Sequence, residues 1–129
     1  MIICLFGAAY RNGRDKELER ELDAVLYEQL RTIPGFMSFH VYTAAGGEVL
    51  GVVRFETREA LEAWRNDAVH RSVWKYAPEL YESFWIQNCE TYREYGWARI
   101  GGRTGEDMDK KFVHDPGNLI PRSNTLNSG

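Results

Sequence analysis

The apolar residues of this chain change their spacing in a fixed order, and that order restricts the fold more than any single motif does. Ile2 to Tyr10 (IICLFGAAY) is β-branched, aromatic or small and carries no interior charge, which suits a strand buried on both faces. Asn12-Gly13 breaks it. From Asp15 the period lengthens: Leu18, Leu22, Val25, Leu26, Leu30 and Ile33 recur at three- and four-residue steps, while Glu17, Glu19, Arg20, Glu21 and Glu28 fill the opposite side. The spacing predicts an amphipathic helix of about 18 residues, capped by Asp15 and stopped by Pro34-Gly35. Phe36–Ala44 and Val49–Glu56 then flank Ala45-Gly46-Gly47-Glu48, a glycine-containing connection that supplies the positive φ angles of a hairpin. Thr57 caps a second helix with Glu59 in its first turn and Ala60, Leu61, Trp64 and Ala68 on its apolar side. A shorter helix is expected over Ala68 to Tyr76, ended by Pro78, and a long aromatic strand over Tyr81 to Tyr95.

Strand, helix, strand, strand, helix, strand is the split βαβ order of an α+β, ferredoxin-like domain with a four-stranded antiparallel sheet. Two helices cover only one face of such a sheet. Yet the strands are apolar at both parities: Phe36 and Tyr42 against Met37, Phe39 and Val41, then Val49, Val53 and Phe55 against Leu50 and Val52. Something beyond the monomer's own helices must cover the second face, and a second copy packed sheet to sheet is the simplest supplier, so a homodimer is expected. After Tyr95 the composition turns to Gly, Pro, Ser and Asn. The division is therefore a domain over 1–95 and an irregular C-terminal extension over 96–129, whose Trp97, Ile100, Phe112 and Ile120 give it apolar surface to drape on the domain or a partner.

Charge narrows the partners. With 16 Lys+Arg against 19 Asp+Glu the net charge is −3, without the basic stripe that holds phosphate backbones, so nucleic acid is not an expected partner. The apolar opening lacks a basic leader and reads as a strand rather than a signal peptide, and no apolar run approaches the ~20 residues that span a bilayer. No membrane association is expected. Cys4 and Cys89 are too few for a disulfide scaffold, which points to a reducing cytoplasmic setting; both are read as core thiols on neighbouring strands. There is no CxxC or HExxH, and three scattered histidines make no metal site; Gly101-Gly102-Arg103-Thr104-Gly105 lacks the preceding strand and following helix of a phosphate loop.

Pro34-Gly35-Phe36, then Gly51-Val52-Val53-Arg54-Phe55-Glu56 with Thr57 opening a helix, then Ala63-Trp64 followed by His70, resemble the antibiotic biosynthesis monooxygenase (ABM) domain family of the dimeric α+β barrel superfamily, over about residues 1–95. The resemblance implies a dimer of ferredoxin-like subunits forming an α+β barrel, each with a pocket between sheet and helices. It also implies cofactor-independent oxidation of a small phenol- or anthrone-type aromatic by O2. Such chemistry needs a water-excluding site, a base to deprotonate the substrate and a donor for the developing oxyanion. The sequence departs from the quinone-forming members at Ala60, where they place an Asn one turn before the Trp. It departs from the haem-degrading members in having no Asn on its first strand. A non-catalytic small-molecule-binding dimer is the alternative, with haem binding a more distant one.

Within this reading His40 and His70 are the candidate bases, since imidazole titrates near neutrality. His40 shares strand parity with Phe36, Ser38 and Tyr42 and is the better base if that side lines the pocket. Trp64, Trp85, Tyr42 and Tyr81 are the candidate substrate-binding aromatics. Asn88 is a substitute amide donor, and Arg54 and Arg93 are partners for a substrate carboxylate or a salt bridge. No cofactor or metal is implied.

Overall fold

The computed structural model describes residues 1–99. Its elements are β1 (Ile2–Tyr10), α1 (Lys16–Leu30), β2 (Phe36–Thr43), β3 (Val49–Phe55), α2 (Arg58–Arg65), α3 (Ala68–Ser72), a 3-10 turn over Trp74–Tyr76, α4 (Ala77–Leu80) and β4 (Tyr81–Glu90). The strands form one antiparallel sheet in the order β2-β3-β1-β4, the ferredoxin-like α+β arrangement. Asp15 caps α1 by accepting from the Glu17 and Leu18 amides, and Thr57 caps α2 by accepting from that of Ala60. Gly35, at φ +91°, turns the chain between α1 and β2; a Cβ there would also stand 2.9 Å from that of Ala60, so a side chain is excluded on both counts.

Directly paired residues of an antiparallel sheet share a face. Phe36, Phe55 and Ile2 make one rung, and Phe39, Val53 and Cys4 the next; both face the helices, where Leu30, Ile33, Ala60 and Trp64 complete the core. The intervening residues face away. Ser38, Arg54, Ile3 and Cys89 form one rung of this face, which is bare of helices although Ser38 and Val52 are buried on it. His40, Val52, Leu5 and Gln87 form the second, and Tyr42, Leu50, Gly7 and Trp85 the third.

Several expectations change. The β-bulge between Phe36 and Ser38 separates Phe36 from the His40 side, so parity counted along the sequence misplaces it. Glu19, expected in solvent, is 5% exposed, while Val25, expected in the core, is 45% exposed. Arg14 is the reason: its guanidinium pairs with the Glu19 carboxylate and lets α1 turn that side inward. Pro78 opens α4 rather than ending a helix, which suits a residue without an amide hydrogen in a first turn. β4 stops at Glu90 instead of Tyr95, and Cys89 is exposed rather than a core thiol. The extension lies outside the described residues from position 100 onward, with its His114.

Candidate functional site

β1 ends at Tyr10 and β4 begins at Tyr81, and the sheet register sets the two rings side by side at 5.4 Å. Phe6 meets the Tyr81 ring edge-on at 5.5 Å and the Phe84 ring at 5.7 Å, so four aromatics from two neighbouring strands line the helix-covered face at this end. The first half of α1 closes the cluster with polar groups. Arg14 lies 3.8 Å over the Tyr10 ring and pairs with Glu19; Asp23, one helical turn on, faces the same cluster. Burial and the Glu19 charge push the Asp23 carboxyl up to about 7 against the pull of Arg14. Burial, mainly, also raises both tyrosines, so their hydroxyls remain protonated donors at neutral pH. An open groove lined by Arg11, Ala77, Pro78, Tyr81 and Phe84 leads to this corner.

The residues singled out in the sequence separate into three places. Tyr81 alone belongs to the aromatic corner. Trp64 and His70 occupy the helix side at the far end of α1, near Leu30 and the Gln29–Asp67 hydrogen bond of 2.7 Å. Their rings stack at 3.9 Å, and His70 Nδ1 lies 2.8 Å from the Trp64 carbonyl. A carbonyl only accepts, so Nδ1 carries the proton and Nε2 the lone pair. Burial lowers the His70 pKa, leaving a neutral imidazole. His40, Tyr42 and Trp85 stand on the bare face, with His40 and Tyr42 rings 6.3 Å apart. Burial and Arg54 lower the His40 pKa. No single chamber contains both histidines. Asn88 lies on the helix-side parity opposite Cys4 but is exposed, and Arg93 lies beyond β4 with its guanidinium 5.6 Å from the Tyr92 ring.

Asp23, Glu19, Arg14 and Tyr10 escaped the sequence reading because carboxylates on a helix count as solvent-facing. The available signal was spacing: 19, 23, 26 and 30 lie on one side of a helix, and Leu26 and Leu30 fix that side as the inner one. Among the described residues no three His, Cys, Asp or Glu side chains converge as metal ligands, and no helix is long and apolar enough to cross a membrane.

The family model for antibiotic biosynthesis monooxygenases matches residues 1–75, more than half of the chain. The chain belongs to that family. Solved structures agree in fold. Rv0793 from Mycobacterium tuberculosis is 21% identical with a TM-score of 0.63, covering 72% of this chain and 96% of that one. SO0527 from Shewanella oneidensis is 20% identical with a TM-score of 0.60, covering 68% and 87%. A structure described as an antibiotic biosynthesis monooxygenase is 12% identical with a TM-score of 0.60, covering 72% and 100%. No curated protein matches the chain.

Proposed function

We propose that this ABM-family protein is a cofactor-independent monooxygenase that oxidises a small phenol- or anthrone-type aromatic with O2 at the Tyr10–Tyr81 corner. One observation carries the reading: the Tyr10, Tyr81, Phe6 and Phe84 rings pack together at one end of the sheet, with Arg14 over Tyr10 and Asp23 beside the two tyrosines, and burial pushes that carboxyl up to about 7, which suits a base removing an acidic C–H or O–H proton at neutral pH. The aromatic rings hold a planar substrate and thin the water around it. Asp23 takes the proton, and the carbanion or phenolate passes electrons to O2. The resulting peroxide loses water to leave a carbonyl, so that CH2 + O2 gives C=O + H2O. Protonated Tyr10 and Tyr81 supply donors to the developing oxyanion in place of the amide absent at Ala60. In this assignment His70 positions Trp64 and is not itself the base.

A homodimer is part of the proposal. Phe84, Trp85 and Ile86 of the edge strand β4 are each about half exposed, and an apolar strand left open on an edge is a place where a second copy packs. Oxygen uptake with a panel of anthrones and hydroquinones is the test. The expected result is one O2 per carbonyl formed, a rate that rises through about pH 7, and a loss of roughly 10²- to 10⁴-fold in Asp23→Asn. Uptake no faster than without protein, across the whole panel, sinks the enzymatic reading. Saturable binding of the same compounds without uptake identifies the alternative, a non-catalytic small-molecule-binding dimer.

A further inference from the structure

Glu19 and Asp23 stand one turn apart on the inner side of α1, and a single cation couples to both. Glu19 is 5% exposed, and Arg14, from the loop before the helix, donates its Nε–H to Glu19 Oε1. The same guanidinium lies 3.8 Å over the Tyr10 ring. Two contacts therefore hold it, and neither is to Asp23. Asp23 still feels its charge, because Arg14 draws that carboxyl down while burial and Glu19 push it up. The groups facing Asp23 are Glu19 on its own helix, Arg14 before the helix, Tyr10 from β1 and Tyr81 from β4. Two carboxylates and one guanidinium out of water cannot all be charged cheaply: one carboxyl takes the cation and the other keeps a proton.

We propose that Glu19 is a positioning residue: it occupies the Arg14 guanidinium and so leaves Asp23 as the proton-binding group of the corner. Chain geometry decides which carboxyl wins. Glu19 is in the first turn of α1, within reach of a side chain that enters from position 14, whereas Asp23 lies about 6 Å further along the helix axis. Without Glu19 the guanidinium loses its partner, and Asp23 is the carboxyl left beside it. Asp23 then becomes a paired anion and no longer exchanges a proton near neutrality. The inference deepens the reading of this corner as a base-catalysed site and rests on it for its catalytic meaning, but the titration that tests it involves no oxidation.

Carbon-detected NMR titration of the Asp23 carboxyl in the full chain, assigned by the signal that Asp23→Asn removes, is the experiment. The wild-type midpoint is expected at about 7. In Glu19→Gln it is expected to fall by at least about one pH unit, since a like charge is lost and the cation moves over. In the double variant Glu19→Gln/Arg14→Gln no guanidinium is left to move, and the midpoint is expected to recover by about half a unit or more. A fall caused merely by a loosened helix admitting water would persist in the double variant. A wild-type midpoint in the ordinary aspartate range overturns the proposal, and so does a Glu19→Gln midpoint that stays or rises, or a double variant as low as the single one. Failure of Glu19→Gln to fold overturns it as well, because Arg14 then found no second partner. Oxygen uptake keeps the two claims apart: its half-maximal pH is expected to follow the NMR midpoint in each variant, and its absence in all of them sinks the oxidation while the NMR midpoints still decide the role of Glu19.

Discussion

The two faces of this sheet are built from the same strands and finished differently. On the helix-covered face Phe55 is 0% exposed, Glu19 is paired with Arg14, and His70 is tied to the Trp64 carbonyl. On the other, Tyr42 and Trp85 are 57% and 49% exposed, and two buried polar atoms, Ser38 Oγ and His40 Nδ1, have no partner among the described residues. Buried polar groups are costly to leave unsatisfied, so this face is not completed by the described residues alone. The covered face holds the core that sets stability; the other carries the half-exposed aromatics Tyr42 and Trp85.

The largest test of this contrast is a pair of truncations. Phe55→Ala is expected to cost about 3 to 5 kcal/mol, because the ring is enclosed by Ile2, Val53 and the helices and leaves a cavity that rigid strands cannot close. Trp85→Ala, on the bare face, is expected to cost about 1 kcal/mol or less in the isolated subunit. Urea unfolding at a concentration below dimer formation measures both. Comparable costs would mean that Trp85 is packed as a core residue, and the two faces would no longer differ.

A second test uses pH. The folded-state pKa of Asp23, about 7, lies above the 3.8 of an ordinary aspartate, so the folded protein holds that proton more tightly than the unfolded chain. Stability therefore falls as pH rises from about 4 to about 7, where ionised Asp23 becomes a full burden of about 2 to 4 kcal/mol. Asp23→Asn removes the burden. It is expected to raise the Tm at pH 8 and leave it unchanged near pH 4, while slowing oxygen uptake by the roughly 10²- to 10⁴-fold expected for loss of a general base. A Tm gain independent of pH would show that the carboxyl titrates normally and would remove the base from the mechanism. Stability given up at Asp23 is what its proposed role as base predicts.

The fold was legible because it is written in period and punctuation. Asp15, Thr57 and Gly35 mark turns and caps whose backbone chemistry is local, and each does in the structure what its type implies. The candidate site was legible only in part, since a site depends on which residues of distant strands share a face. The bulge at Phe36/Ser38 adds a residue that no alternation reveals, and with it Phe36 crosses to the core while His40 stays on the bare face. Asp23 was hidden for a different reason: charge suggested solvent, and only the position of Leu26 and Leu30 one and two turns further shows that its side of α1 is the inner one. Arg14 makes that arrangement tolerable, and its guanidinium comes from the loop before the helix, which helical spacing does not reach.

The smallest expected effect comes from making one substitution on each face. Gly51 lies on the helix side, where an added Cβ would stand 3.3 Å from Cε1 of Phe39, a ring that itself packs against Tyr27 and the core. Phe39 has little room to yield, so Gly51→Ala is expected to cost about 1 to 2 kcal/mol. Gly7 lies on the bare face beneath the indole of Trp85, and an added Cβ would overlap that ring outright. By clash alone Gly7→Ala should be the worse change. The indole, however, is half exposed, so it can swing into open space, and alanine is about 0.5 to 1 kcal/mol better than glycine within a strand. Gly7→Ala is therefore expected to shift stability by less than about 1 kcal/mol while moving Trp85 emission to the red, read by difference against Trp85→Phe. A larger cost at Gly7 than at Gly51 would show the indole clamped from above, and the face that carries it would have to be counted as covered.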